Sequence, residues 1–169
     1  MKIVLARHGE TDWNASNRFM GRINIPLNEQ GKEQALALKE KLAEYNFDCC
    51  FCSSLSRAKE TAEIVCDGKC DVICDDDLME RSGGDLEGKV VESWEEFKRD
   101  KTKESDEELF VRVKRFLERL KQTDYGCVLI VSHNGLLNNL RYCILENQDE
   151  LEPSYIPNCG FEVYEISKN

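Results

Sequence analysis

The chain has 169 residues, enough to bury a core without disulfide or metal staples. Its 23 Lys and Arg against 33 Asp and Glu leave a formal charge of −10, which disfavours nucleic acid and anionic lipid as partners. Any phosphate site must then be a local basic pocket in an acidic molecule.

Residues Lys2–Arg7 form a near-continuous apolar run, as in a strand buried on both faces. The run stops at Ala6, too short for a secretory leader. No stretch of ~18 apolar residues offers a membrane span, so a cytoplasmic location is expected. A polar stretch continues to Pro26. Asn28 then caps a helix carrying Ala35, Leu36, Leu38, Leu42 and Ala43 up to Tyr45. Cys49–Cys52 reads as a second strand, with Ser53 or Ser54 capping a helix marked by Leu55, Ala58, Ala62 and Val65. Asp71–Cys74 is a third strand. Residues 75–91, acidic and with Gly83, Gly84 and Gly88, read as a loop. A polar helix is predicted over Glu92–Lys101, and an amphipathic one over Asp106–Gln122 with Leu109, Phe110, Val113, Phe116, Leu117 and Leu120 on one face. Cys127–Val131 is a strand, Leu136–Leu145 a helix, and Phe161–Ile166 alternates like a strand with one wet face.

Strands alternating with helices predict an α/β protein, a three-layer α/β/α sandwich around a mostly parallel sheet. One domain is expected over 1–169. An odd count of nine cysteines points to free thiols in a reducing compartment. Cys49 and Cys52 have CxxC spacing but lie on a strand, where residues three apart face opposite sides. Cys66, Cys70 and Cys74 supply no second CxxC. No metal and no cofactor are expected.

Ligands of such sheets bind beyond the carboxyl ends of the strands. Three polar clusters fall there: Arg7-His8-Gly9-Glu10-Thr11, Ser53 to Arg57, and Ser132-His133-Asn134-Gly135. Both histidines of the chain are among them. A lone histidine is commonly structural, but two at strand ends, one beside an arginine, suit phosphate chemistry. Arginine presents a fork of donors to phosphate oxygens, helix N-termini add backbone N–H groups, and imidazole is a neutral nucleophile.

The string RHGET after an apolar strand resembles the signature of the histidine phosphatase superfamily, the phosphoglycerate mutase-like enzymes. The likeness continues in order through Asn14, Met20-Gly21-Arg22, Pro26-Leu27, Gly31, Gln34-Ala35, Ser53-Ser54-Leu55-Ser56-Arg57-Ala58, Thr61-Ala62, Leu78-Met79-Glu80-Arg81, Gly84, Glu87, Gly88 and Val131-Ser132-His133. The resemblance implies a phosphoglycerate mutase-like fold. It also implies that His8 takes the phosphoryl group, while Arg7, Arg57 and His133 hold the phosphate oxygens. Asn14, Gly21 and the backbone at Asn134 would bind substrate, and Glu80 would protonate the leaving oxygen and then deprotonate water. Arg7 and Arg57 are expected to keep His8 neutral, and Asp75, Asp76, Asp77 and Asp85 to help Glu80 hold its proton.

Some positions depart from the family pattern. Asn24 stands where Asp is frequent, Met20 where phosphatase members often have Gln, and Gly83 where an aromatic is frequent, which is expected to loosen that loop. Arg22 is a candidate extra cation for the substrate. Only about eighteen residues, 89–106, separate Gly88 from Glu107 as a cover. So short a cover predicts a pocket open to water, hence a phosphomonoester hydrolase acting on a small phosphorylated metabolite. The alternatives are a cofactor-dependent phosphoglycerate mutase, a protein phosphohistidine phosphatase, a non-catalytic phosphate-binding domain, and a thiol-based metal or redox module. Monomer or dimer is left open.

Overall fold

A computed structural model of the protein describes residues 1–90, 97, 99–145 and 155–167. Five strands, β1 (Lys2–Arg7), β2 (Cys49–Ser53), β3 (Asp71–Asp75), β4 (Cys127–Ser132) and β5 (Phe161–Glu165), form one sheet in the order β3-β2-β4-β1-β5. The first four run parallel and β5 pairs antiparallel to β1 at the edge. The helices are α1 (Asp12–Ala15), α2 (Glu29–Lys41), α3 (Ser56–Cys66), α4 (Asp106–Lys121) and α5 (Asn134–Leu145).

Strand alternation divides the core in two. Ile3, Leu5, Val128 and Ile130 face α4 and α5, against Leu109, Phe116, Leu120 and Leu136. Val4, Ala6, Cys50, Cys52, Leu129 and Val131 face α2 and α3, against Ala35, Leu38, Ala58 and Ala62. The sheet is therefore covered on both sides, giving the three layers. Cys50 and Cys52 serve here as small apolar side chains, while Cys49, on the other side of β2, bonds the carbonyl of Asp71. All nine cysteines are free, and among the described residues no cluster of His, Cys, Asp or Glu has the makings of a metal site. Nor, among those residues, is any helix long and apolar enough to cross a membrane.

Two details differ from the sequence expectation. The polar segment after β1 contains the short helix α1, held by a reciprocal capping box between Thr11 and Asn14. The start of α3 is capped by neither Ser53 nor Ser54. Its N-cap is Leu55, and the N–H of Ser56 donates instead to Oδ1 of Asn24, 2.8 Å away and 32 positions back in the chain. The 75–91 loop carries two 3-10 turns, Asp76–Leu78 and Gly84–Leu86. The helix predicted over Glu92–Lys101 falls mostly on 92–96 and 98, outside the described residues.

The helices that follow β1 and β4 leave to opposite faces of the sheet. The crevice between the ends of these neighbouring strands is the topological switch point where α/β sheets bind ligands. Arg7 is in register with Ser132, so His8 and His133 emerge side by side at that crevice.

Candidate active site

A cavity of about 1000 Å³ opens at this point. Arg7, His8, Arg57 and Glu80 line it, with an apolar wall that includes Phe19, Met20, Phe97, Tyr142 and Tyr155. His8 is almost wholly buried. Its Nδ1 lies 2.6 Å from the carbonyl oxygen of Gly9. A carbonyl has no proton to give, so Nδ1 carries the proton and Nε2 keeps its lone pair. Nε2 has no partner among the described residues. Burial, then the charges of Arg57 and Arg7, hold His8 well below the ordinary histidine range, against a smaller opposing effect of the Gly9 bond. The neutral ring expected from the sequence is thus present, with burial the larger cause and the arginines second. The loop itself is pinned by Thr61, whose Oγ1 accepts the N–H of Gly9 at 3.0 Å and donates to the carbonyl of Arg57 at 2.7 Å.

Arg57 is fully buried at the start of α3. Its Nε donates to Nδ1 of His133 at 3.2 Å, Nη1 to the carbonyl of Ile23 at 2.9 Å, and Nη2 to that of Gly21 at 2.8 Å. Three of its five N–H groups are so committed, and two remain for a ligand. Burial lowers Arg57 to about 10, which leaves it a full cation at neutral pH. His133 lies behind this arginine. Its ring centroid is 5.0 Å from that of His8. With Nδ1 accepting from Arg57, its Nε2 carries the proton and donates to Oγ of Ser53 at 2.8 Å. His133 is fully buried, does not line the cavity, and has both ring nitrogens engaged. Burial first, then Arg57, hold it well below the ordinary range.

Glu80 reaches the crevice from the far side, over the N-terminus of α5. Its carboxylate accepts N–H groups from Gly135 at 3.2 Å, Leu136 at 3.1 Å and Arg81 at 2.9 Å. Those of Gly135 and Leu136 belong to the first turn of the helix, where backbone N–H groups have no partner within the helix. Three of the four acidic residues expected around Glu80 are engaged elsewhere. Asp77 pairs with Arg115 and Arg119, Asp75 with Arg119, and Asp76 accepts from Ser54.

Arg7 donates Nη1 to the carbonyl of Ile156 at 2.8 Å, stacks near the Tyr155 ring, and keeps a buried Nε–H with no partner among the described residues. Asn14 lines the cavity. Its Oδ1 accepts from the N–H of Thr11 at 3.1 Å and from Nδ2 of Asn158 at 3.3 Å, which leaves its own Nδ2 as the atom for a ligand. Gly21 lines the cavity and turns its carbonyl to Arg57. Asn134 is the first residue of α5, and its Oδ1 accepts the N–H of Ile156 at 2.9 Å. Met20 is buried with its sulfur accepting from Thr11 at 3.2 Å. Arg22 does not line the cavity; it donates to the carbonyl of Glu80 and to Glu104. Gly83 leaves no loose loop. The ring of Phe19 fills the place a side chain there would take, and its N–H is held by Glu87 at 2.8 Å.

Sequence reasoning passed over Asn158. Its Nδ2 donates to the carbonyl of His8 at 3.0 Å as well as to Asn14. The only signal was the turn composition of Pro157-Asn158-Cys159-Gly160.

A mostly parallel sheet with two neutral histidines and two arginines gathered at its switch point defines an enzyme of the phosphoglycerate mutase-like fold. Residues 3–169 match the family described as "Histidine phosphatase superfamily (branch 1)", and the chain belongs to that superfamily. It is 34% identical over 158 residues to "Phosphoglycerate mutase-like protein 4" of Arabidopsis thaliana, an alignment covering 82% of this chain and 69% of the relative. It is also 34% identical to "Uncharacterized phosphatase PhoE" of Bacillus subtilis, covering 98% of this chain and 89% of that protein. The crystal structure of the alpha-ribazole phosphatase from Shigella flexneri is similar with a TM-score of 0.80 at 31% identity, covering 88% of this chain and 81% of the other.

Proposed function

We propose that the protein hydrolyses a small phosphomonoester through a covalent phosphohistidine on Nε2 of His8. The observation that carries this reading is the Nδ1–H bond to the Gly9 carbonyl, which leaves Nε2 unprotonated in a cavity that two arginines share. In the first step a bond forms between Nε2 and phosphorus while the ester P–O bond breaks. The leaving oxygen takes a proton from Glu80. In the second step water attacks phosphorus, gives its proton to Glu80, and the N–P bond breaks to release phosphate.

Charge on the equatorial oxygens is met by the two spare N–H groups of Arg57 and by Arg7. An unsatisfied buried N–H costs about 1–3 kcal/mol, and a phosphate oxygen would relieve that cost at Nε of Arg7. Nδ2 of Asn14 and the N–H of Asn134 add donors. His133 holds Arg57 at its Nε and completes the phosphate end of the site from behind. Gly21 fixes the other end of the same guanidinium. No metal is called on, because these groups supply the positive charge, and free thiols throughout suit a reducing compartment.

Hydrolysis of an aryl phosphate in the presence of EDTA tests this directly. Wild type is expected to release phosphate and His8→Ala to lose at least about 10⁴-fold in rate, since the nucleophile itself is gone. Equal release by both proteins would remove His8 from the mechanism. A phosphoglycerate assay run in parallel separates hydrolase from mutase: phosphate release is expected to exceed interconversion.

A further inference from the structure

Glu80 sits on a loop whose backbone is gripped from behind. Arg112, buried on α4, donates Nη1 to the carbonyls of Asp77 and Met79, both at 2.7 Å, and Nη2 to the carbonyl of Glu80 at 3.1 Å. Nε of Arg22 donates to that same Glu80 carbonyl at 3.2 Å. Glu104 ties the two arginines together. Its Oε1 accepts from Nη2 of Arg22 at 3.1 Å and from Nε of Arg112 at 2.7 Å, and its Oε2 from Nη2 of Arg112 at 2.8 Å and from the N–H of Ser82 at 3.3 Å. The backbone N–H of Glu104 then returns to the carbonyl of Ser82 at 3.0 Å.

Burial alone would push the Glu104 carboxyl up. The bonds and charge of Arg112, with the charge of Arg22, more than offset that and hold it below the ordinary range. It is therefore an anion throughout the neutral pH range, and both arginines stay anchored to it. Neither Arg22 nor Arg112 lines the cavity. What they share is the peptide carbonyl of the residue that has to meet the leaving oxygen. A peptide carbonyl can accept two hydrogen bonds, and here both come from guanidinium groups.

We infer that Arg112, Arg22 and Glu104 are positioning residues that aim Glu80 at the leaving oxygen, and so let the enzyme act on phosphate esters of poor alcohol leaving groups. The inference rests on the proposed role of Glu80. Its chemical consequence is selective. An alkoxide needs a proton as the P–O bond breaks, whereas a nitrophenolate does not, so loss of aim falls on alkyl esters. Placement errors near 1 Å cost on the order of 10²-fold in such steps.

The test compares kcat/KM for an alkyl phosphate and for 4-nitrophenyl phosphate. This constant reports the steps through departure of the leaving group and is blind to slow hydrolysis of the phosphohistidine. Arg22→Met is the first variant, because Arg22 is partly exposed and its loss leaves Arg112 to hold the loop. Arg112→Lys is the second, retaining charge but not the forked geometry. Each is expected to lower kcat/KM for the alkyl ester about 10–100-fold more than for the nitrophenyl ester. Equal losses on both esters, or none, would overturn the inference. Glu80→Gln is the control. If it shows the leaving-group split and both arginine variants do not, the brace is merely structural. If Glu80→Gln itself shows no split, the proposed role of Glu80 fails first. Should Arg112→Lys fold poorly, Arg22→Met still decides.

Discussion

A methyl group on Gly135 would lie 2.7 Å from Oε1 of Glu80, closer than carbon and oxygen tolerate. The helix start has to be bare for the carboxylate to rest on it. Gly135→Ala is therefore expected to displace Glu80 and lower kcat/KM for an alkyl phosphate roughly 10–100-fold. Stability should change by less than about 1 kcal/mol, because the better helix propensity of Ala opposes the crowding. Steady-state kinetics beside a thermal melt read both effects, and an unchanged rate would mean that Glu80 need not sit there. At this scale the sequence was legible in residue type but not in direction. His8, Arg7, Arg57, Asn14 and Glu80 meet in one cavity as the motifs implied. The sequence offers Arg22 as a substrate cation, yet it grips the Glu80 backbone. His133, read as a phosphate ligand, is turned to Arg57 and Ser53. Side-chain direction depends on neighbours far away in the chain, which no local pattern encodes.

The helix α3 shows how an element draws its cap from elsewhere. Asn24 supplies Oδ1 to the N–H of Ser56, the residue immediately before Arg57. Asn24→Ala is expected to cost about 1 kcal/mol, the usual worth of an N-cap, while Asn24→Asp keeps the acceptor and should be near neutral. Chemical denaturation of the three proteins checks this; equal stability of wild type and Asn24→Ala would show that Ser56 finds another acceptor. Capping rules applied along the chain pointed to Ser53 or Ser54, because those rules see only neighbours. Where an element is long and its apolar spacing strict, as in α4 with Leu109, Val113, Phe116 and Leu120, sequence and structure agree closely. The four residues of α1 are too few to show any period.

For the molecule as a whole, two histidines buried without charge make stability depend on pH. Both have folded values well below 6.5, held there chiefly by burial. The unfolded chain then binds more protons than the native one, so their contribution is complete above about pH 6.5 and is lost as pH falls towards the folded values. The slope is about 1.4 kcal/mol per pH unit for each histidine in that window. The carboxylates held low act later: Asp77, through its bonds to Arg115, and Glu104 lose their contributions only below about pH 4. Thermal midpoints are thus expected to fall from about pH 6.5 downward, before any carboxylate titrates. A His133→Asn variant should show a flatter descent; an identical slope would mean that His133 is not buried neutral.

The position of β1 in the sheet has a consequence for biosynthesis. The strand that ends at Arg7 and leads into His8 has as its sheet neighbours β4 and β5, which follow it much later in the chain. At ribosomal rates of ~5–20 residues per second, the wait between Arg7 and Ser132 is on the order of ten seconds. During that interval Ile3, Val4, Leu5 and Ala6 have no native strand to pair with, and the nascent chain presents them to whatever apolar surface or chaperone it meets. A polypeptide stopped short of β4 would therefore be a chaperone client with a complete RHG loop and no enzyme around it.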